Sequence, residues 1–178
     1  MTRYVALLRA VNVGGRSLPM AGLRAMIEDL GGKNPQTLLQ SGNAVFAAAT
    51  AAAALERRLE DEAQRRFGMP IAFLLRTAAE WDALVARNPF AEAARSDPAH
   101  LLLMALKAAP APAAIAALRA AHQGRESIHV DGRDAYLVYP DGVGRSKLTN
   151  TLIERKLGVA GTARNWNTVL KLTALVAT

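Results

Sequence analysis

An order of strands and helices that runs twice along 178 residues predicts an α+β protein of two tandem βαββαβ units, each followed by an extra short helix. Three observations carry this. Two apolar, β-rich runs, Tyr4–Val13 and Leu101–Leu106, each precede a proline-led helical stripe. Each half then holds a hairpin signal, Ser41-Gly42-Asn43 in the first and Asp131-Gly132 in the second. The landmarks Leu101, Pro112 and Gly132 follow Tyr4, Pro19 and Gly42 at offsets of 97, 93 and 90 residues. The pattern repeats although the side chains do not, and the arrangement it implies is the ferredoxin-like, or α/β-plait, unit.

In the first unit, residues 1–86, Pro19 opens a helix with the stripe Met20, Leu23, Ile27 and Leu30, stopped by Gly31-Gly32. Gln36–Gln40 and Ala44–Ala47 read as strands of a hairpin. Thr50 stands as the cap of a helix carrying Leu55, Leu59, Ala63 and Phe67, closed by Gly68. Ile71–Leu75 is the fourth strand, and Thr77 with Glu80 forms a capping box for the extra helix. Residues 87–100 contain Pro89 and Pro98, lack periodicity and read as a linker. In the second unit, residues 101–178, a helix from Pro112 ends at Gly124 and a hairpin joins Ser127–Val130 to Ala135–Tyr139. Ser146–Leu157 reads as a helix with Ser146 as N-cap, Ala160–Arg164 as the last strand and Asn167–Val176 as the last helix.

Composition narrows function by exclusion. The chain is 51% hydrophobic, which excludes a disordered tail, and alanine supplies 37 residues, so the core rests on Leu, Val and Ile. Without cysteine there is no disulfide scaffold, thiolate zinc site, iron–sulfur cluster or thiol nucleophile. The apolar run Tyr4–Leu8 is too short for a signal-peptide core, and no run reaches the ~18 residues of a membrane span, so a cytoplasmic location without a membrane partner is expected. The net charge is +7, with 17 of the 22 basic residues arginine, and residues 143–178 hold Arg145, Lys147, Arg155, Lys156, Arg164 and Lys171 against Glu154 alone. Such a surplus favours acidic partners; arginines scattered over solvated faces are the plainer account.

The topology gathers loops into two clusters. One joins Asn12, Gly14, Gly15 and Arg16 with Ser41 and Asn43, where glycines admit a ligand to backbone N–H groups and Arg16 adds a fork of donors. A flexible connection needing positive φ explains the same glycines. The other joins Arg145, Ser146 and Lys147 with Arg164, Asn165 and Asn167, where anion capture competes with a Pro-Asp-Gly turn and a helix cap. Neither loop has dinucleotide or Walker spacing. His100, His122 and His129 lack metal-ligand spacing, a site at His129, Asp131 and Asp134 is disfavoured, and no cofactor or catalytic motif is present. Tyr4, Phe46, Tyr136 and Tyr139 do not form the aromatic signature of a sheet that stacks RNA bases.

Five motifs in order carry a resemblance: Tyr4–Gly15, Leu39–Phe46, Asn88-Pro89-Phe90, Ser146–Asn150 and Arg164–Thr168. With them the chain resembles the bacterial domain-of-unknown-function 1697 family, with Ala10 standing where that family commonly has Gly. The resemblance implies an α/β-plait protein of the bacterial cytoplasm and implies no activity. The expected function is capture of a small phosphate- or carboxylate-bearing ligand at the two clusters. Its rivals are nucleic-acid binding through the basic C-terminal region, a structural or partner-docking domain, and an enzyme whose residues converge only in space.

Overall fold

The computed structural model describes residues 1–9 and 17–178. The chain divides into two compact units, Met1–Ala83 with Leu172–Thr178, and Leu84–Lys171. Each carries a four-stranded sheet with wholly antiparallel pairing, and the described residues hold seven α-helices, so the class is α+β.

The first sheet contains β1 (Thr2–Arg9), β2 (Lys33–Thr37), β3 (Asn43–Ala48) and β4 (Ala72–Thr77) in the order β2-β3-β1-β4. Helices α1 (Met20–Asp29) and α2 (Ala52–Phe67) pack on the face of Tyr4, Ala6, Leu8, Phe46, Phe73 and Leu75 through Leu23, Met26, Ile27, Leu55 and Leu59. Val5, Leu7, Val45 and Leu74, on the alternate face, are buried too. This is why these strands read as unbroken apolar runs rather than alternating ones.

Two local readings change. The second strand begins at Lys33 and not Gln36, because it lies at the sheet edge, where the missing N–H of Pro35 breaks no ladder. Thr50 does not cap α2: its carbonyl accepts from the Tyr4 hydroxyl at 3.0 Å and its Oγ1 from Arg58 at 3.2 Å, while Ala51 occupies the cap position. The capping box is present, with Thr77 N–H on Glu80 at 2.8 Å and Glu80 N–H on Thr77 Oγ1 at 3.1 Å, and it starts α3 (Ala78–Ala86). The exposed edge of β4 is sealed by α2, whose Glu60 and Glu56 carboxylates accept from the N–H groups of Phe73 and Leu75 at 2.9 and 2.8 Å.

The stretch read as a linker contains a helix of its own, α4 (Ala91–Ser96), followed by a 3-10 turn at Pro98–His100. The second sheet holds β5 (Leu101–Leu106), β6 (Ser127–Asp131), β7 (Asp134–Val138) and β8 (Gly161–Asn165), ordered β6-β7-β5-β8. Helices α5 (Pro112–Ala121) and α6 (Asn150–Leu157) cover Leu102, Met104, Leu106, Leu137 and Tyr139 with Leu118, Ile153 and Leu157. The last helix, α7 (Trp166–Ala177), is shared: its residues to Lys171 count with the second unit, those from Leu172 with the first. In the first unit Trp81 Nε1 donates to Thr173 Oγ1 at 3.0 Å and Arg3 Nη2 to the Leu175 carbonyl at 3.2 Å.

Candidate functional site

The predicted helix from Ser146 begins four residues later. Thr149 is the N-cap, its hydroxyl accepting from Leu152 N–H at 3.2 Å, and α6 starts at Asn150. The difference frees residues 140–148 to form a loop. Its turn is set by Gly142, with φ 84, and by Gly142 N–H on the Tyr139 carbonyl at 3.0 Å. Its far end is pinned where the buried Tyr139 hydroxyl donates to the Leu148 carbonyl at 2.9 Å. Burial, aided by the Glu126 charge, pushes the Tyr139 phenol up to about 12.

This loop faces the connection after α5 across a cleft of about 410 Å³. The cleft has four basic or imidazole side chains, His122, Arg125, Arg145 and Lys147, two acidic ones, Glu126 and Asp141, and an apolar wall at Leu148 and Leu152. Its acids are engaged. Ser146 Oγ donates to Glu126 Oε1 at 2.5 Å and accepts from Leu148 N–H at 3.0 Å, so the Ser146 hydroxyl orients an acid rather than facing a ligand alone. His122 Nε2 lies 2.9 Å from the Glu126 carbonyl and 3.6 Å from its Oε2. Because a carbonyl only accepts, that nitrogen carries the proton. The Ser146 hydroxyl, more than the flanking charges of His122 and Arg125, holds the Glu126 carboxyl below its ordinary range. Gly124 leaves room for this pair, since a Cβ there would stand 2.0 Å from Glu126 Oε2. Asp141 pairs with Arg125 at 2.6 Å. Arg145 and Lys147 are exposed and have no ion pair among the described residues.

The other residues of this cluster lie elsewhere. Arg164 is 8% exposed, its Nη1 donating to Thr162 Oγ1 at 2.7 Å and to the Ala163 carbonyl at 2.9 Å, and burial pulls its guanidinium down to about 10. Asn165 caps α7 by accepting Thr168 N–H at 3.1 Å, and Asn167 is exposed on the first turn of that helix. None of the three lines the cleft. Trp166 is buried beside Tyr136, ring centroids 6.5 Å apart, and so packs rather than stacks on a ligand.

In the first unit, Asn12, Gly14, Gly15 and Arg16 lie outside the described residues. Ser41 is exposed in the β2–β3 turn. Asn43 is fully buried, its Nδ2 donating to the Leu38 carbonyl at 2.7 Å and to Ser41 Oγ at 3.1 Å, so its amide holds the turn in which it sits. Asp131 and Asp134 both pair with Arg87, at 3.2 and 3.5 Å, while His100 contacts Asp97 at 2.8 Å. Among the described residues no three His, Cys, Asp or Glu side chains form a group fit for a metal ion. The aromatic rings Tyr4, Phe46, Tyr136 and Tyr139 are all buried.

Four cleft residues, His122, Arg125, Glu126 and Asp141, were not among the candidates read from sequence. The signal that could have found them is the polar run His122–Glu126 between α5 and β6, which the hairpin topology brings to the same sheet end as Asp141–Lys147.

These features define an α+β protein of two antiparallel sheets whose second unit bears a basic cleft at one sheet end. The chain belongs to the family described as Protein of unknown function (DUF1697), whose profile matches residues 1–136. The motifs at Ser146–Asn150 and Arg164–Thr168 lie beyond that match. No curated protein matches the chain. Among solved structures it is similar to the conserved bacterial protein SP0830 from Streptococcus pneumoniae, with TM-score 0.79, 21% identity and 98% of each chain covered. That likeness extends through both units and speaks to the fold alone.

Proposed function

We propose that the protein is a small binding protein with two ferredoxin-like plaits, the second of which captures a small anionic ligand between its α5–β6 connection and its β7–α6 loop. The strand orders β2-β3-β1-β4 and β6-β7-β5-β8 support the plait assignment. One observation carries the binding assignment. Both acids of the cleft are engaged by neighbours, while Arg145 and Lys147 have no ion pair among the described residues. An anion entering there meets two exposed cations without an ion pair among the described residues, beside an apolar wall at Leu148 and Leu152. Of the residues expected from sequence, Arg145 and Lys147 contact the ligand and Ser146 positions Glu126.

A thermal-shift titration with inorganic phosphate, acetate and a short oligonucleotide tests this. Phosphate at about 100 times its dissociation constant stabilises by about 2.7 kcal/mol. The double variant Arg145→Ala/Lys147→Ala melts at the temperature of the parent and loses the phosphate response. A response to the oligonucleotide alone, collapsing steeply with salt, assigns the basic residues to nucleic acid instead. No response to any of the three removes the reading.

A further inference from the structure

We propose that the first unit holds a second ligand site, which takes a small monocarboxylate on Arg3 and Lys33. It goes beyond the anion-binding reading above and shares no residue with that cleft. The site is a cavity of about 220 Å³ lined by Arg3, Lys33, Asn34, Gln36, Ala47 and Thr178, together with Phe46, whose ring belongs to the core.

Strand pairing builds the cavity. Ala47 of β3 pairs with Arg3 of β1 on one side and with Lys33 of β2 on the other, so the three share one row and one face of the sheet. Strands lie about 4.8 Å apart, which sets the Cα atoms of the two cationic residues about 10 Å apart with a single methyl group between them. Two long side chains flanking a short one leave a hollow. Gln36 joins them through a bulge: it opposes Val45 while Lys33 opposes Ala47, three steps along β2 against two along β3. In a regular strand residues three apart point to opposite faces. The extra residue, with Asn34 at φ 50, returns Gln36 to the face of Lys33.

The donors of this cavity lack an acceptor. Arg3 Nη2 donates to the Leu175 carbonyl at 3.2 Å, which fixes the guanidinium, yet Arg3 Nε is buried and has no hydrogen-bond partner among the described residues. A buried donor left unpaired is a standing cost that a ligand oxygen removes. The N–H groups along one edge of a guanidinium form a fork that matches the two oxygens of a carboxylate. Lys33 is exposed, has no ion pair among the described residues and supplies the second cation. No acidic side chain lines the cavity, and a carboxylate ending the chain at Thr178 subtracts one charge from the two cations. One net positive charge then remains, which suits a singly charged ligand. The Asn34 and Gln36 amides offer donors and acceptors to a polar substituent such as a hydroxyl. The volume falls below the ~300 Å³ at which drug-sized sites begin, so the occupant has few heavy atoms.

The test uses the full chain carrying Arg145→Ala/Lys147→Ala, which silences the other cleft. Lactate and its neutral isostere lactamide are titrated while nitrogen–proton correlation NMR follows the backbone amides and the Arg3 Nε–H. Lactate is expected to move the Arg3 Nε–H downfield, to shift the amides of Lys33, Gln36 and Ala47, and to bind at least about tenfold more tightly than lactamide. Lys33→Met, at an exposed position, and Ala47→Leu, which fills the hollow and removes no charge, each weaken lactate binding about tenfold while resonances elsewhere stay in place. An Arg3 Nε–H that does not move in lactate overturns the proposal. Equal affinity for lactate and lactamide overturns it too, as does a lactate affinity unchanged in either variant. None of these results bears on the other cleft, whose reading stands or falls on the phosphate response of the parent.

Discussion

Two buried phenols make the clearest statement at the scale of single residues. Tyr136 donates to the Leu84 carbonyl and Tyr139 to the Leu148 carbonyl, and burial, reinforced by the charges of Asp134 and Glu126 respectively, pushes each up to about 12. An unfolded chain ionises its tyrosines near 10. The neutral phenol is therefore favoured in the folded state, and the stability it contributes is intact below pH 10 and lost as pH rises from about 10 to 12. A spectrophotometric titration at 25 °C is expected to show these two phenols ionising late, together with alkaline unfolding; ionisation of all three tyrosines near 10 in the folded protein contradicts it. Glycine has a second residue-scale role. Gly124 reads in the sequence as a helix stop, yet α5 ends at Ala121, and the missing Cβ matters because Glu126 occupies its place.

Elements were legible where local chemistry alone decides them, and less so where partners do. The Thr77/Glu80 box and the left-handed closures at Gly68 and Gly158 follow from side chains and φ angles a few residues apart. Thr50 and Ser146 have cap chemistry as well, but the Thr50 hydroxyl accepts from Arg58 and the Ser146 hydroxyl donates to Glu126, twenty residues away in sequence. Pro35 argues against a strand until β2 is known to be an edge. The candidate site was half legible for the same reason. Arg145 and Lys147 stand out as charges, whereas His122 and Glu126 matter only through the fold's pairing of two loops, and Arg164 is withdrawn by burial that no motif announces. The carboxylate seal on β4 gives a test at this scale. Glu56→Ala/Glu60→Ala strips the acceptors from two backbone N–H groups and is expected to lower stability by about 2 kcal/mol in urea unfolding. An unchanged midpoint means that water satisfies those groups equally well.

For the molecule as a whole, the division of the chain matters more than its net charge. Leu172–Thr178 count with the first unit although the preceding 88 residues form the second. Leu172 and Val176 are fully or nearly fully buried, and Thr173 accepts from Trp81. Ending the chain at Lys171 removes two buried apolar side chains, worth about 3 kcal/mol or more together. In a Trp166→Phe background the truncation is expected to red-shift Trp81 fluorescence and lower the first unit's melting temperature; an unshifted spectrum shows that the closing residues are dispensable. No helix among the described residues is long and apolar enough to cross a membrane.

That return of the closing residues sets a timetable for the nascent polypeptide. The N-terminal sheet leaves the ribosome early yet lacks its last packing segment until the whole intervening unit has been translated, a wait on the order of ten seconds. During that interval Trp81 has no Thr173 to receive its indole N–H, and the first-made half of the protein is the second to be finished.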